Sequence, residues 1–121
     1  MIRVMLVDDH AVLRTGLKLL LEQQPDVVVV AEAADAATAE ADLARVSPDV
    51  VVTDLSMPGM SGVDLVHHLR ERHPDLRALV VSGNPPPVEA KGALEFLQKP
   101  YTLQALSTRI RRLLQGGDGP S

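Results

Sequence analysis

Val50-Val51-Val52-Thr53-Asp54-Leu55-Ser56-Met57-Pro58-Gly59-Met60-Ser61-Gly62 decides how this chain is read. A short apolar run rich in β-branched side chains reaches a carboxylate and breaks at once into a loop punctuated by proline and glycine. Such a run is a buried parallel strand that delivers Asp54 to its carboxyl end.

The stretches on either side repeat the pattern. Upstream, Ile2 to Val7 is apolar except for Arg3 and ends at Asp8-Asp9. Leu13, Leu17, Leu20 and Leu21 then recur at helical spacing, with Arg14, Lys18 and Glu22 four apart on another face, which predicts an amphipathic helix stopped near Pro25. Val27 to Ala31 is a second buried strand. Asp35 can cap an Ala-rich helix with Ala36, Ala39, Leu43 and Val46 along one side, ended by Ser47-Pro48. Downstream, Val63, Leu65, Val66 and Leu69 predict a third helix, closed by Pro74. Arg77 to Val81 is a fourth strand that runs into Ser82-Gly83-Asn84, and Leu94 to Leu97 a fifth that ends at Gln98-Lys99-Pro100. Thr102 caps a last helix with an apolar stripe of Leu103, Leu106, Ile110 and Leu113. Its Arg109, Arg111 and Arg112 are read as a solvated face near the end where cations suit the helix dipole. Strand and helix alternate throughout and the strands are continuously apolar, so the class is α/β, a single doubly wound parallel sheet with helices on both faces.

One connection breaks the rhythm. Pro85-Pro86-Pro87 stands where the alternation calls for a helix, and consecutive prolines lack the donors and clash with the preceding turn. Only Val88 to about Gly92 is left for helix, so the fourth helix is expected to be missing or reduced to about one turn.

Bulk properties narrow the classes. A chain of 121 residues suits one domain, expected here over 1–115, with 116–121 as a flexible tail or a cut linker. Aromatics are only 2%, so the core is built from Val, Leu, Ile and Ala. The absence of cysteine excludes disulfides, thiolate metal sites and thiol catalysis. The first apolar run is too short to span a membrane and lacks a cleavage-site pattern, which predicts a cytoplasmic protein with no membrane contact. A net charge of -4, without a helix-turn-helix, zinc or RNA-reading signature, argues against direct nucleic-acid binding by this chain.

In an open parallel sheet the functional crevice lies outside the carboxyl ends of the strands. Asp8 and Asp9 leave the first strand, Asp54 the third, Ser82 the fourth and Lys99 the fifth, so these groups gather on one rim. Singly, each has a plain reading: a strand-end Asp is more often a turn or cap, Asp9 could cap the first helix, and Lys99 could be a solvated lysine. Their joint placement is the specific signal. Three carboxylates together stay ionised only beside cations. A hard divalent ion suits oxygen ligands, and Mg²⁺ is favoured because it takes one or two carboxylates, keeps waters and bridges to phosphate. Asp54 is then the nucleophile, able to form an acyl phosphate. Asp8 and Asp9 hold the metal with Asp54 and the main-chain carbonyl of Ser56, and Lys99 with the Ser82 hydroxyl meets the new phosphoryl oxygens. Gly83 leaves room at the entrance. His10 is expected to be exposed at the first helical turn. His67 and His68, adjacent in a helix, cannot share a face as ligands. Met57 and Met60 are expected to pack the loop.

At Val7-Asp8-Asp9-His10, Asp54 to Gly62, Ser82-Gly83 and Gly92 to Pro100, the sequence resembles the receiver domain of two-component response regulators, over nearly the whole chain from Ile2 to about Leu114. The resemblance implies a flavodoxin-like or CheY-like five-stranded sheet in the order 2-1-3-4-5, Mg²⁺ dependence, and phosphorylation of Asp54 by a histidine kinase, a phosphotransfer protein or a small phosphodonor. It also implies a switch in which Ser82 turns toward the phosphoryl group and Phe96 moves inward, a cis peptide before Pro100, and the possibility of a homodimer. The first half is similar to receivers of the NarL/FixJ, nitrate-regulator type, whereas Phe96-Leu97-Gln98-Lys99-Pro100-Tyr101 is more like receivers of hybrid histidine kinases. Self-catalysed phosphoryl transfer and loss are expected, without turnover of a metabolite. Two rival readings remain: a pseudo-receiver that binds partners without phosphorylation, and a haloacid-dehalogenase-type hydrolase, which wants a second Asp where this chain has Ser56.

Overall fold

In the computed structural model of the chain, the described residues are 1–55, 59–83 and 94–115. Their order is β1 (Ile2–Val7), α1 (Ala11–Leu21), β2 (Val27–Ala33), α2 (Ala36–Val46), β3 (Val50–Asp54), α3 (Gly62–Arg70), β4 (Ala78–Ser82), β5 (Leu94–Gln98) and α4 (Leu103–Leu114). The strands form one parallel five-stranded sheet in the order β2-β1-β3-β4-β5. The altered fourth crossover, the Ser56 carbonyl, Met57 and the tail 116–121 lie outside the described residues.

Strand parity divides the core into layers. Val4, Leu6, Val50, Val52, Leu79, Val81 and Leu97 meet Leu21 of α1 and Leu106, Ile110 and Leu113 of α4 on one face. On the other, Met5, Val7 and Val51 meet Ala39 and Leu43 of α2 and Leu65 and Leu69 of α3, and Val66 packs with Ala78, Val80, Leu94 and Phe96. The predicted stripes of α2, α3 and α4 therefore face the sheet, and two of the predicted caps form: Asp35 accepts from the Thr38 amide at 2.8 Å and Thr102 from the Ala105 amide at 3.0 Å.

The β2 edge strand carries an irregularity. Val4 pairs with Val29 but Met5 with Ala31, so Val30 is an extra residue in the ladder. Val27 and Val29 accordingly pack toward α1, while Ala31 and Ala33, which strict alternation would put on that same face, pack toward α2. The strand also runs two residues beyond the predicted end at Ala31.

Two expectations are corrected. Leu13 does not join the core: it is 53% exposed, beside Val12 at 84% and Leu19 at 64%. Arg14 is the inward residue instead, paired with Glu32 of β2 at 3.2 Å and donating to the Asp8 carbonyl oxygen. The arginines of α4 are not simply solvated. Arg111 grips both carboxylate oxygens of Asp26, at 2.7 and 3.0 Å, and the Gln24 side-chain oxygen at 2.9 Å. Arg109 donates to the Phe96 carbonyl, and Arg112 pairs with Glu95 at 3.3 Å.

Candidate functional site

The carboxyl ends of β1, β3, β4 and β5 form one rim, as parallel strands in this order require. Asp8 follows β1, and its amide donates to the Ala33 carbonyl at 3.0 Å, which extends the ladder one residue past the strand. Asp54 is the last residue of β3, opposite Val81 of β4. Both residues are buried, each 8% exposed. Burying two anions in this way is costly without a cationic partner.

The surroundings supply part of the compensation. Lys99 Nζ lies 3.6 Å from Asp54 Oδ1. Asp8 Oδ1 accepts from the His10 amide at 2.8 Å. One oxygen of Asp8, Asp9 and Asp54 and one nitrogen of His10 all fall within 4.8 Å of one another. Asp9 Oδ1 is buried and has no hydrogen-bond partner among the described residues, although His10 Nδ1 stands 3.2 Å away at ion-pair distance. A buried carboxylate oxygen left over beside two further carboxylates is the arrangement a small hard divalent cation satisfies, so the residues present fit Mg²⁺.

Ser82, at the end of β4, is buried, and its carbonyl accepts from the Lys99 amide at 2.7 Å. That bond seats the lysine next to the serine on the same rim. The Lys99–Pro100 peptide bond is cis. Phe96 lies on the opposite face of the sheet from Asp54, buried among Val66, Ala78, Val80 and Leu94. Behind the carboxylates, a cavity of about 470 Å³ runs under α1 from Asp54 and Lys99 past Leu13, Gly16 and Leu17 to Leu20.

Residues 59–62 are fixed by backbone demands. Gly59 has φ +80°, in the left-handed region that favours glycine. Gly62 donates to the Leu55 carbonyl at 2.7 Å, and Ser61 caps α3 by accepting from the Asp64 amide at 3.1 Å.

The structure thus brings together Asp8, Asp9, Asp54 and Lys99, with Ser82 beside Lys99 and Phe96 away from them. Sequence reasoning missed two neighbours. His10 is exposed as expected, but it is the N-cap position of α1 and its ring turns back onto Asp8 and Asp9, a contact the sequence reading did not assign. Its place directly after an acidic pair was the available signal. Tyr101 lines the cavity with Asp8, Asp54 and Lys99. Burial, and then the charges of Asp8 and Asp54, push its phenol up from the usual value. No local pattern marks it.

Residues 4–111 match the family model described as the response regulator receiver domain. The transcriptional regulatory protein LiaR of Bacillus subtilis is 35% identical over 121 residues, covering 96% of this chain and 57% of LiaR. The nitrate/nitrite response regulator protein NarL of Escherichia coli is 39% identical over 79 residues, 65% of this chain and 37% of NarL. The chain spans about half the length, or less, of the curated relatives it matches. Among solved structures, the response regulator domain of Thermotoga maritima CheB superposes with a TM-score of 0.82 at 29% identity, covering 95% of this chain and 97% of that one.

Proposed function

The chain belongs to the response regulator receiver domain family of two-component systems, and from that we propose that it accepts a phosphoryl group on Asp54 in a Mg²⁺-dependent reaction and changes an output surface in response. The observation that carries this reading is the convergence of Asp8, Asp9 and Asp54, with Lys99 Nζ 3.6 Å from the last.

In the proposed reaction a carboxylate oxygen of Asp54 attacks phosphorus. The new bond is O–P, and the bond that breaks joins phosphorus to the imidazole nitrogen of a histidine kinase or phosphotransfer protein, or to the leaving oxygen of a small phosphodonor such as acetyl phosphate. Asp8, Asp9 and Asp54, with the main-chain carbonyl expected from Ser56, would hold the Mg²⁺, which would offset negative charge on the transferring phosphoryl group. Lys99 supplies the remaining fixed positive charge. It holds the Asp54 carboxylate before transfer and the phosphoryl oxygens after it. The buried position of Asp54 limits access of water, so hydrolysis of the acyl phosphate is slow and self-catalysed.

The phosphoryl group carries about -1.5 to -2 charges where the carboxylate carried -1, and brings strong acceptor oxygens. Ser82 is the nearest candidate donor on β4, and its hydroxyl turning toward them begins the switch. Phe96 of β5, packed against Val66 of α3, carries the change to the other face of the sheet. The signal, the kinase and any attached output domain follow from the rest of the pathway, since receivers share one chemistry and differ in their connections.

The complete acidic set counts against a pseudo-receiver, and intact-mass measurement separates the two readings. After acetyl phosphate and Mg²⁺, the wild-type chain gains one phosphoryl group, and Asp54→Asn gains none. Retained labelling in Asp54→Asn removes Asp54 from its role, and an unlabelled wild type under both small donors and kinases leaves the pseudo-receiver reading.

A further inference from the structure

We infer that His10 is a nitrogen donor of the acidic site and sets which divalent cations that site prefers, an inference that rests on the metal-dependent reading above. Its Nδ1 is 3.3 Å from Asp8 Oδ1 and 3.2 Å from Asp9 Oδ1. Neighbouring donors on an octahedral ion with bonds of about 2.1 Å lie about 3.0 Å apart. Both separations from the imidazole nitrogen are close to that edge length, and carboxylate oxygens of Asp8, Asp9 and Asp54 lie with it in one 4.8 Å cluster.

Other features of His10 point the same way. The ring makes no capping bond to α1, although the residue occupies the N-cap position. Its backbone is anchored instead, since its amide donates to Asp8 Oδ1 at 2.8 Å. The imidazole Nδ1 stands at hydrogen-bond distance from Asp8 Oδ1, 3.3 Å, and 3.2 Å from Asp9 Oδ1, which is buried and has no hydrogen-bond partner among the described residues, so a cation shared by these atoms would satisfy the oxygen that the imidazole leaves unbonded.

The chemistry of the donor makes this a matter of selectivity. Mg²⁺ keeps its waters and takes oxygen ligands, whereas imidazole suits the first-row transition metals. The His10 side chain is 60% exposed, so it is free to stand aside for a hydrated ion or to enter the coordination sphere of a softer one. The site is thus all-oxygen with Mg²⁺ and mixed nitrogen and oxygen with Mn²⁺ or Co²⁺.

The test uses the full chain with each metal alone. Pulsed electron paramagnetic resonance of the Mn²⁺-loaded protein reads directly coordinated nitrogen, and calorimetric titration gives affinities for Co²⁺ and Mg²⁺. We expect nitrogen coupling in the wild type and in His68→Ala, its loss in His10→Ala, and a fall of at least about tenfold in the Co²⁺-to-Mg²⁺ affinity ratio in His10→Ala. Binding of Mn²⁺ through oxygen alone, or an unchanged affinity ratio in His10→Ala, overturns the inference and leaves the phosphoacceptor reading standing. If neither Mg²⁺ nor Mn²⁺ binds the wild type, both fall.

Discussion

A Cβ at Gly62 would stand 2.4 Å from the Asp54 carbonyl oxygen and 3.1 Å from the Leu55 Cα, both parts of the backbone that carries the proposed phosphoacceptor. Neither can yield as a flexible side chain would. Gly62→Ala should therefore destabilise the fold by ~1–3 kcal/mol, read from the denaturant midpoint, and should slow labelling of Asp54 because the displaced backbone is its own. Tyr101 offers a second measurement, since it is the one tyrosine in a chain without tryptophan. Burial, then Asp8 and Asp54, raise its phenol above the usual 10.0. Ultraviolet titration should give a midpoint above that value, moved partway down by Asp54→Asn because burial remains. The sign for stability follows: the neutral phenol's contribution is intact below the unfolded value and is lost as pH rises through the raised one. The acidic residues and Lys99 were legible because strand ends punctuate the sequence. Tyr101 was not, because its position depends on the packing of α1 over the sheet.

Helix α1 shows where periodicity fails. Spacing alone assigns Leu13 to the buried stripe and Arg14 to the solvent face. Leu17, Leu20 and Leu21 nevertheless pack on the core as the spacing assigns, and the departure is confined to the first turn, where Glu32 on β2 draws Arg14, at 3.2 Å, and further along Lys18, at 3.6 Å, toward the sheet edge. A stripe of period 3.6 fixes that a helix has faces, and a charged partner on another element shifts which residues at the edge of that stripe turn inward. Helix α4 buries Leu106, Ile110 and Leu113 of its stripe as read, at 0%, 1% and 2% exposed, even though Glu95 on β5 pairs with Arg112. Arg111 also ties it to the turn between α1 and β2. The Arg111 hydrogen bonds hold the Asp26 carboxyl below its usual 3.8. A carboxyl lowered in the folded state stabilises above its unfolded value and loses that contribution as pH falls through the lowered one. Arg111→Ala should thus melt below wild type at neutral pH, with the gap closing under acid conditions, as calorimetry across pH would record. A constant gap would assign the effect to lost packing by the arginine stem.

Assembly of the rim is a property of the complete sheet: residues 8, 54 and 99 meet because β1, β3, β4 and β5 are parallel and adjacent in that order. The alternation of elements made the sheet legible, while the strand order came from the family resemblance. The same gathering sets function against stability, since like charges are held close. Without Mg²⁺, Asp8→Asn should melt no lower than wild type. With Mg²⁺ at about a hundred times its dissociation constant, the wild type should gain ~2.7 kcal/mol by mass action, and the variant markedly less. Thermal unfolding with and without the ion tests both statements.

The extra residue at Val30 has a further consequence. Because it reverses the parity of β2, Glu32 comes to lie under α1, where it holds the arginine that also bonds to the Asp8 carbonyl. Shortening the strand by one there is unlike any substitution: it would exchange the two sides of everything that follows, carrying an acid into the aliphatic layer beneath α2 and leaving α1 without its anchor. An edge strand far along the sheet from Lys99 thus keeps count for the acidic end of β1.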